Sequence, residues 1–431
     1  MTPAPPQAIA DLAARKAALD VVQGALSRRG GLEEALDQPS FAGLDERDRA
    51  FARMLAMTVL RRMGAIDARL DARLGKAPPD AVRMLLRLGA AQALYLETPD
   101  FAAVDTTVRL ADGRRATRPF KGLVNGVLRG LIREPAGEDD PETLAPGWLF
   151  ARWRAAYGED DARAIAAMMA QEPATDLTPR DPSEAGALAA ALEAAPLAGG
   201  SLRSSLRGDV AAWPGYAEGR WWVQDAAAAI PARIVQARAG EAVLDLCAAP
   251  GGKTLQLAAT GAQVTALDRS AVRLERLRGS LQRTRLAAEI VTANAAAWRD
   301  PRRFDAVLLD APCSATGTFR RHPDVLWGSR PGDIASLAGA QGRLLDAAAD
   351  RVAAGGRLVY CVCSLEPEEG EAQARAFLAR HRSFSVSPLA SGEGGAPAAS
   401  AAPSGMLRIL PTHLPGGLDG FFVARFVRAA G

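Results

Sequence analysis

Asp310-Ala-Pro-Cys-Ser-Ala-Thr-Gly317 follows the apolar run Phe304–Leu309. A short apolar run that ends in a carboxylate and then meets a proline reads as a buried parallel strand stopping at a turn. At such a strand end, an Asp and a Cys three residues apart can both face the crevice where open α/β sheets hold their ligands. Pro312 fixes the turn, and Gly317 permits a sharp exit or the close approach of a ligand. Taken alone, Cys313 reads equally well as a small buried hydrophobe. The stretches on either side decide between the two.

Upstream, Ala242-Val-Leu-Asp-Leu-Cys247 predicts a strand, and Ala248-Ala-Pro-Gly-Gly-Lys-Thr254 a small-residue turn opening a helix over Leu255–Ala259. Glycines in a first βα turn let the backbone come close to a ligand beside a helix N-terminus. The turn is neither the G-x-G-x-x-G form nor a phosphate-binding Walker loop, since Cys247 stands where the Walker loop has its first glycine. Ala262–Asp268 predicts a second strand ending in an acid, in the place where a carboxylate can take both ribose hydroxyls of a nucleoside. A helix over Ser270–Thr284 and a strand over Glu289–Thr292 follow, then Asn294, the Phe304–Asp310 strand and a helix over Ala335–Ala353. Gly355-Gly356 leads into the strand Arg357–Cys363. Met406–Leu410 and Gly420–Val427 read as a last strand pair, after a low-complexity stretch at Gly394–Gly405 that reads as a mobile loop. Regular alternation of strand and helix predicts an α/β, Rossmann-like, doubly wound and mostly parallel sheet from residue 239 to 431.

The chain has four cysteines, at 247, 313, 361 and 363. They make no disulfide framework in a chain this long, and their spacings resemble no zinc knuckle or ribbon, so no metal is expected. Cys361 and Cys363 flank Val362 and therefore share one face of their strand. Cys363 falls at the strand end, ahead of Pro367-Glu-Glu369, and Cys361 falls one step deeper as packing. In a doubly wound sheet the ends carrying Cys363 and Asp310–Cys313 are expected to be neighbours.

Residues 1–135 predict an all-helical domain, with amphipathic segments over Leu12–Gly24, Arg49–Ile66 and Val82–Leu94 and a closing helix from Lys121 to Ile132. Pro78-Pro79-Asp80 starts the third segment, and Thr98-Pro99-Asp100 ends it. Residues 1–134 carry 21 Lys and Arg against 16 Asp and Glu, with Arg114, Arg115, Arg118, Lys121, Arg129 and Arg133 grouped together. Such a group reads as a solvated helix face or as a footprint for phosphate. Glu134–Glu142 is an acidic linker. Residues 143–238 form a connecting region, with a helix over Trp148–Met169, short extended pieces around Leu177, and helices over Ala185–Leu192 and Ala226–Val235. Trp221 and Trp222 beside Arg220 are candidates either for stacking on bases or for core.

The whole chain has 431 residues, 52 basic against 49 acidic, and is 48% hydrophobic. That leaves room for two or three globular domains and neither requires nor excludes a nucleic-acid partner. No stretch approaches the length of a membrane span and no leader pattern opens the chain, so a cytoplasmic protein with no membrane partner is expected.

Two thiols and a carboxylate beside a nucleoside site suit one chemistry in particular. Carbon 5 of a cytosine is too poor a nucleophile to take a methyl group unaided. A thiolate adding to carbon 6 makes it enamine-like, a nearby acid steadies the charge that develops on the ring, and a second group assists expulsion of the thiolate.

Ala248–Thr254, Asp310–Gly317 with Arg320-Arg-His-Pro-Asp324, and Cys361-Val-Cys-Ser364 with Pro367-Glu-Glu369 together resemble the Sun/Fmu family of RNA cytosine-C5 methyltransferases. The helix order at the N-terminus, with Phe120–Arg129 near its end, resembles a NusB-type RNA-binding domain. The resemblance spans nearly the whole chain and points to the branch of the family that acts on bacterial small-subunit rRNA. It implies S-adenosyl-L-methionine held by Cys247, Ala248, Ala249, Pro250, Gly251, Gly252, Lys253, Asp268, Asn294 and Asp310. It implies Cys363 as nucleophile and Cys313 as the thiol that aids release, with Asp310 and Lys253 completing the catalytic set, in an enzyme expected to act as a monomer. Asn294 departs from the family's usual Asp. Two other readings stand beside this one. In DNA cytosine methylation Cys313 of the Pro-Cys pair is the nucleophile. An idle RNA-binding assembly factor keeps the cofactor fold without the reaction.

Overall fold

The computed structural model describes residues 6–27, 31–134 and 137–430. They fall into two compact units, one of the described residues up to 171 with 321–329 and the other of residues 172–320 with 330–430.

The first unit is helical: α1 (Pro6–Leu26), α2 (Gly31–Leu36), α3 (Pro39–Ala42), α4 (Glu46–Asp71), α5 (Asp80–Tyr95), α6 (Asp100–Asp112), α7 (Lys121–Ile132), α8 (Gly147–Tyr157) and α9 (Glu159–Ala167). Asp45 caps α4 by accepting from the Asp48 amide at 2.8 Å. Leu55, Val59 and Ile66 of α4 share a core with Leu85 and Leu86 of α5 and Val124 and Leu128 of α7. Gly89 lets α5 and α7 approach closely, because a Cβ there would lie 2.5 Å from Leu128 Cδ1.

Three expectations change in this unit. Thr98-Pro99-Asp100 does close α5, but Pro99 at once opens α6, whose buried face includes Thr106 and Thr107. Thr107 satisfies its hydroxyl on Ala103 O at 2.7 Å, so a polar residue occupies a core position and blurs the apolar period. The helix expected over Trp148–Met169 is two helices, broken at Gly158 with φ +88°. Trp153 and Ile165 are buried, and Ala156 is exposed. Both helices belong to the first unit, where Arg61 of α4 donates to Gln171 O at 2.9 Å. Pro135 and Ala136 of the expected linker lie outside the described residues.

The second unit opens with a small antiparallel sheet of β1 (Thr175–Pro179), β2 (Ala194–Pro196), β3 (Leu202–Ser204) and β4 (Trp221–Val223), in the order β2-β3-β1-β4, with helix α10 (Ala185–Ala191). Trp221 and Trp222 are core here and unavailable to bases: both are buried, and their indoles donate to Pro214 O and Gln224 Oε1.

The main sheet comprises β5 (Ala242–Leu246), β6 (Gln263–Asp268), β7 (Glu289–Thr292), β8 (Phe304–Asp310), β9 (Val352–Val362), β10 (Phe384–Val386), β11 (Leu407–Ile409) and β12 (Phe421–Arg428). Its order is β10-β12-β9-β8-β5-β6-β7, with β11 on β12. β5 to β9 run parallel and β10 to β12 antiparallel. The helices from residue 226 onward are α11 (Ala226–Val235), α12 (Gly252–Ala259), α13 (Ala271–Thr284), α14 (Asp324–Gly328), α15 (Pro331–Ala349) and α16 (Glu371–Arg380), all but α14 in this unit. This is the Rossmann-like, mostly parallel architecture expected, and its strand order reverses between β5 and β8, where such sheets bind ligands.

β9 begins at Val352, before Arg357. Gly355 and Gly356 therefore lie within the strand, where its register against β8 shifts, and do not precede it. Gly394–Gly405 is packed and not a loose loop: Ala396 is buried beside α11, and Glu393 just ahead of it pairs with Arg425. α14 counts with the first unit, where Asp324 accepts from Leu32 N at 3.0 Å and the Trp327 indole donates to Leu60 O at 2.9 Å. Among the described residues no helix is long and apolar enough to cross a membrane.

Candidate active site

The turn after β5 is built for close approach. Cys247 adopts φ +62° and Gly251 φ +117°. A Cβ on Gly251 would fall 2.3 Å from Leu277 Cδ1 of α13, so only glycine fits there. At the tip of β6, Asp268 is buried and holds the turn: Oδ2 accepts from the Ala249 amide at 3.2 Å and Oδ1 from the Ser270 amide at 2.8 Å. Each oxygen keeps further acceptor capacity. Behind the turn, Asp245 Oδ2 accepts from Thr254 Oγ1 at 2.6 Å, whereas its buried Oδ1 has no hydrogen-bond partner among the described residues. Burial pushes the Asp245 carboxyl up to about 7. Burial, followed by the charge of Asp310, pushes the Cys247 thiol up to about 12. Asn294, beyond the tip of β7, is exposed and uses Oδ1 to accept from Ala296 N at 3.1 Å.

The parallel pairing of β8 with β9 sets Asp310 opposite Cys361 and brings the two expected strand ends together. Cys313 Sγ and Cys363 Sγ are 3.5 Å apart. Lys253, in the first turn of α12, donates to Asp310 Oδ2 at 2.7 Å. Lys253, Asp310, Cys313 and Cys363 thus form one cluster, beside the glycine turn from which Lys253 itself comes. Burial is the largest single influence on Lys253 and lowers its pKa, but the charge and hydrogen bond of Asp310 together with Cys361 and Cys363 outweigh it and hold the ammonium above its ordinary value. The Cys313 thiol is held well above its usual range by its hydrogen bond with Cys363, then by burial and by the charges of Cys363 and Glu369.

Gly317 serves a different approach from the one expected. A Cβ on it would lie 2.1 Å from Gly420 O, so it is chain and not ligand that comes close, and Gly420 N donates to Gly317 O at 2.8 Å. Cys361 is buried but does more than pack, donating to Asp310 Oδ1 at 3.4 Å. Three further residues join the site, of which only Glu369 lies in a stretch, Pro367-Glu-Glu369, that the sequence singles out. Phe421 places its ring 5.3 Å from Lys253 Nζ. Glu369 and Gln341 bond to each other beneath the Cys313 turn. In the basic group of the first unit, Arg114 pairs with Asp20, and Arg118 and Lys121 both pair with Asp112.

The residues present fit an adenosyl sulfonium cofactor. The turn accepts no side chain at Gly251, a carboxylate stands at the tip of the next strand, and a buried acidic oxygen behind the turn lacks a partner.

Comparison with known proteins agrees. A model of the family described as 16S rRNA methyltransferase RsmB/F matches residues 232–427, and a model of the NusB family matches residues 12–133. Ribosomal RNA small subunit methyltransferase B of Pseudomonas syringae pv. tomato is 37% identical over 443 residues, covering 97% of each chain. The protein of that name from Vibrio cholerae is 36% identical over 356 residues, covering 78% of this chain and 82% of its own. The crystal structure of PH0851 shares the fold over 99% of each chain, with a TM-score of 0.78 at 24% identity. A methyltransferase homolog from Pyrococcus horikoshii matches 65% of this chain and 94% of its own, with a TM-score of 0.55 at 26% identity. Fold and site define an S-adenosyl-L-methionine-dependent methyltransferase. The chain belongs to the RsmB/F family of 16S rRNA methyltransferases and carries a NusB-family domain at its N-terminal end.

Proposed function

We propose that this enzyme methylates carbon 5 of a cytosine in 16S rRNA through a covalent bond between Cys363 and carbon 6. The observation that carries the reading is the pair of thiols 3.5 Å apart at adjacent strand ends, beside the Lys253–Asp310 pair. Residues 247–253 and Asp268 would hold S-adenosyl-L-methionine, which would supply an electrophilic methyl group. The Cys363 thiolate adds to carbon 6, and the ring electrons this displaces make carbon 5 nucleophilic. Lys253, kept charged by Asp310, faces the negative charge that develops on the ring. After carbon 5 has taken the methyl group, its proton must leave. Cys313 gives its thiol proton to the departing Cys363 sulfur and receives the carbon 5 proton, while the C–H electrons restore the ring double bond and the C6–S bond breaks. A thiol held in its protonated form suits Cys313 to that exchange better than to attack, which favours this assignment over the reverse one. Domains at 1–135, 143–238 and 239–431 serve RNA binding, connection and catalysis, in a cytoplasmic monomer.

Bisulfite sequencing of 16S rRNA tests the function directly. Deleting the gene should convert one protected cytosine to an unprotected one, and restoring the chain should bring protection back. No change at any cytosine would refute the reading.

The NusB-family domain holds the rRNA by its basic face around α7. Arg118 and Lys121 remain 63% and 55% exposed despite their pairing with Asp112. The double substitution Arg118→Glu/Lys121→Glu is expected to weaken rRNA binding severalfold at low salt, with the difference shrinking as salt rises. Equal affinities at low salt would assign the domain another task.

A further inference from the structure

Beneath the two thiols lies a buried acid that the reaction as described does not use. Glu369 is fully buried. Its Oε1 accepts from the Ser314 amide at 2.9 Å and from Gln341 Nε2 at 3.0 Å. Its Oε2 accepts from the hydroxyls of Ser314 and Ser364, each at 2.5 Å. Ser314 follows Cys313 and Ser364 follows Cys363, so one carboxylate is bonded to the residue next to each sulfur. The same Gln341 amide reaches Pro312 O at 3.0 Å, on the other side of Cys313. The two hydroxyls lie 3.1 Å apart, and Ser364 Oγ also accepts from Glu366 N at 3.0 Å.

Every group aimed at Glu369 can donate to it, so the position calls for a side chain that only accepts. A buried carboxylate is a costly way to fill space, and apolar packing of similar volume is often as stable. Its placement therefore points to geometry and not to stability. β8 and β9 end at Asp310 and Val362, so the strand pairing itself stops short of both Cys313 and Cys363. Beyond it, the backbone ties between the two segments are the Ala311 amide to Cys361 O and the Gly317 amide to Cys363 O.

We propose that Glu369 is the positioning residue of the thiol pair, pinning the Cys313 turn to the end of β9 and so setting the separation of the two sulfurs. The inference rests on the division of labour between the thiols given above and adds what keeps them within reach of one base. The charge of Glu369 is also among the causes that hold the Cys313 thiol protonated, after the Cys363 hydrogen bond and burial.

The test reads the separation without RNA. Diamide removes two electrons and two protons from a thiol pair, becoming the hydrazine and leaving a disulfide. The rate at which Cys313 and Cys363 join is followed by mass spectrometry in the full-length protein and in Glu369→Gln, Glu369→Ala and Ser364→Ala. The Glu369→Ala protein should cross-link at least tenfold more slowly, with Ser364→Ala and Glu369→Gln in between. kcat for rRNA should fall in the same order, by on the order of 10²-fold for Glu369→Ala, since a misplacement of about 1 Å can cost that much. KM and cofactor affinity should stay unchanged. If Glu369→Ala does not fold, the two milder variants decide. Folded variants that are less stable but cross-link and turn over at the original rate would make Glu369 a merely structural residue and overturn the proposal. Slowed cross-linking with no methylcytosine from the unaltered enzyme would sink the functional reading alone.

Discussion

Replacing Cys363 by alanine is expected to abolish methylcytosine formation and covalent adduct together. The substitution removes the only bond to carbon 6, and losing a nucleophile of this kind costs on the order of 10⁴-fold or more in rate. Replacing Cys313 by alanine should do something different. Attack and methyl transfer still proceed, but the sulfur 3.5 Å from Cys363 no longer exchanges protons with it. The enzyme should then stall with the RNA attached, visible as a slow band on a denaturing gel. Assigning attack to Cys313, as the DNA-type reading does, predicts the opposite pattern. Adduct from Cys363→Ala and none from Cys313→Ala would therefore reverse the two roles, while a cofactor-fold assembly factor would give adduct from neither.

The second large effect concerns the charged pair. Lys253→Met leaves Asp310 without its partner at 2.7 Å, which costs about 3 kcal/mol of stability, the lower end for breaking a buried pair, because Asp310 keeps 29% exposure. It also removes the cation facing the ring, so single-turnover methylation should fall by roughly 10²- to 10³-fold, the range for losing one preorganised charge stabiliser. Lys253→Met/Asp310→Asn separates the two consequences: stability should return and activity should not. Asp268→Ala should act on the other half of the site. It removes acceptors that organise the Ala249 and Ser270 amides, and cofactor affinity measured by calorimetry should drop roughly tenfold to 10²-fold, the value of a hydrogen bond to a charged group. A Lys253→Met protein as fast as the original, or an Asp268→Ala protein with unchanged affinity, would remove that residue from its role.

The meeting of the Cys313 and Cys363 segments was legible in the sequence because both lie at the ends of strands. A carboxylate that ends an apolar run, as Asp268 and Asp310 do, announces both the strand and the end that faces the crevice. Cys363 was placed by strand alternation from Cys361, which needs no knowledge of neighbours. Less legible were elements whose core face includes polar residues or whose break is a single glycine. Thr106 and Thr107 hid α6, and Gly158 divided one apparent helix into two. The tryptophans at 221 and 222 also had no fixed reading, since an aromatic beside an arginine looks the same whether it stacks on a base or fills a core.

The sequence by itself determined the strands β5 to β8, the glycine turn and the acids at the tips of β6 and β8, because these follow from periods of two and 3.6 residues and from backbone freedom at single positions. Only the tertiary structure decided how the tips meet. β8 pairing with β9 brings side by side the segments that carry Cys313 and Cys363, 50 residues apart in the chain. Phe421 under Lys253, Gly420 against Gly317 and Glu369 across Ser314 and Ser364 come from β12 and the β9–α16 connection folding back on that edge. Contacts of this kind depend on the order of strands in the sheet and on where loops return, and no local pattern in the chain encodes either.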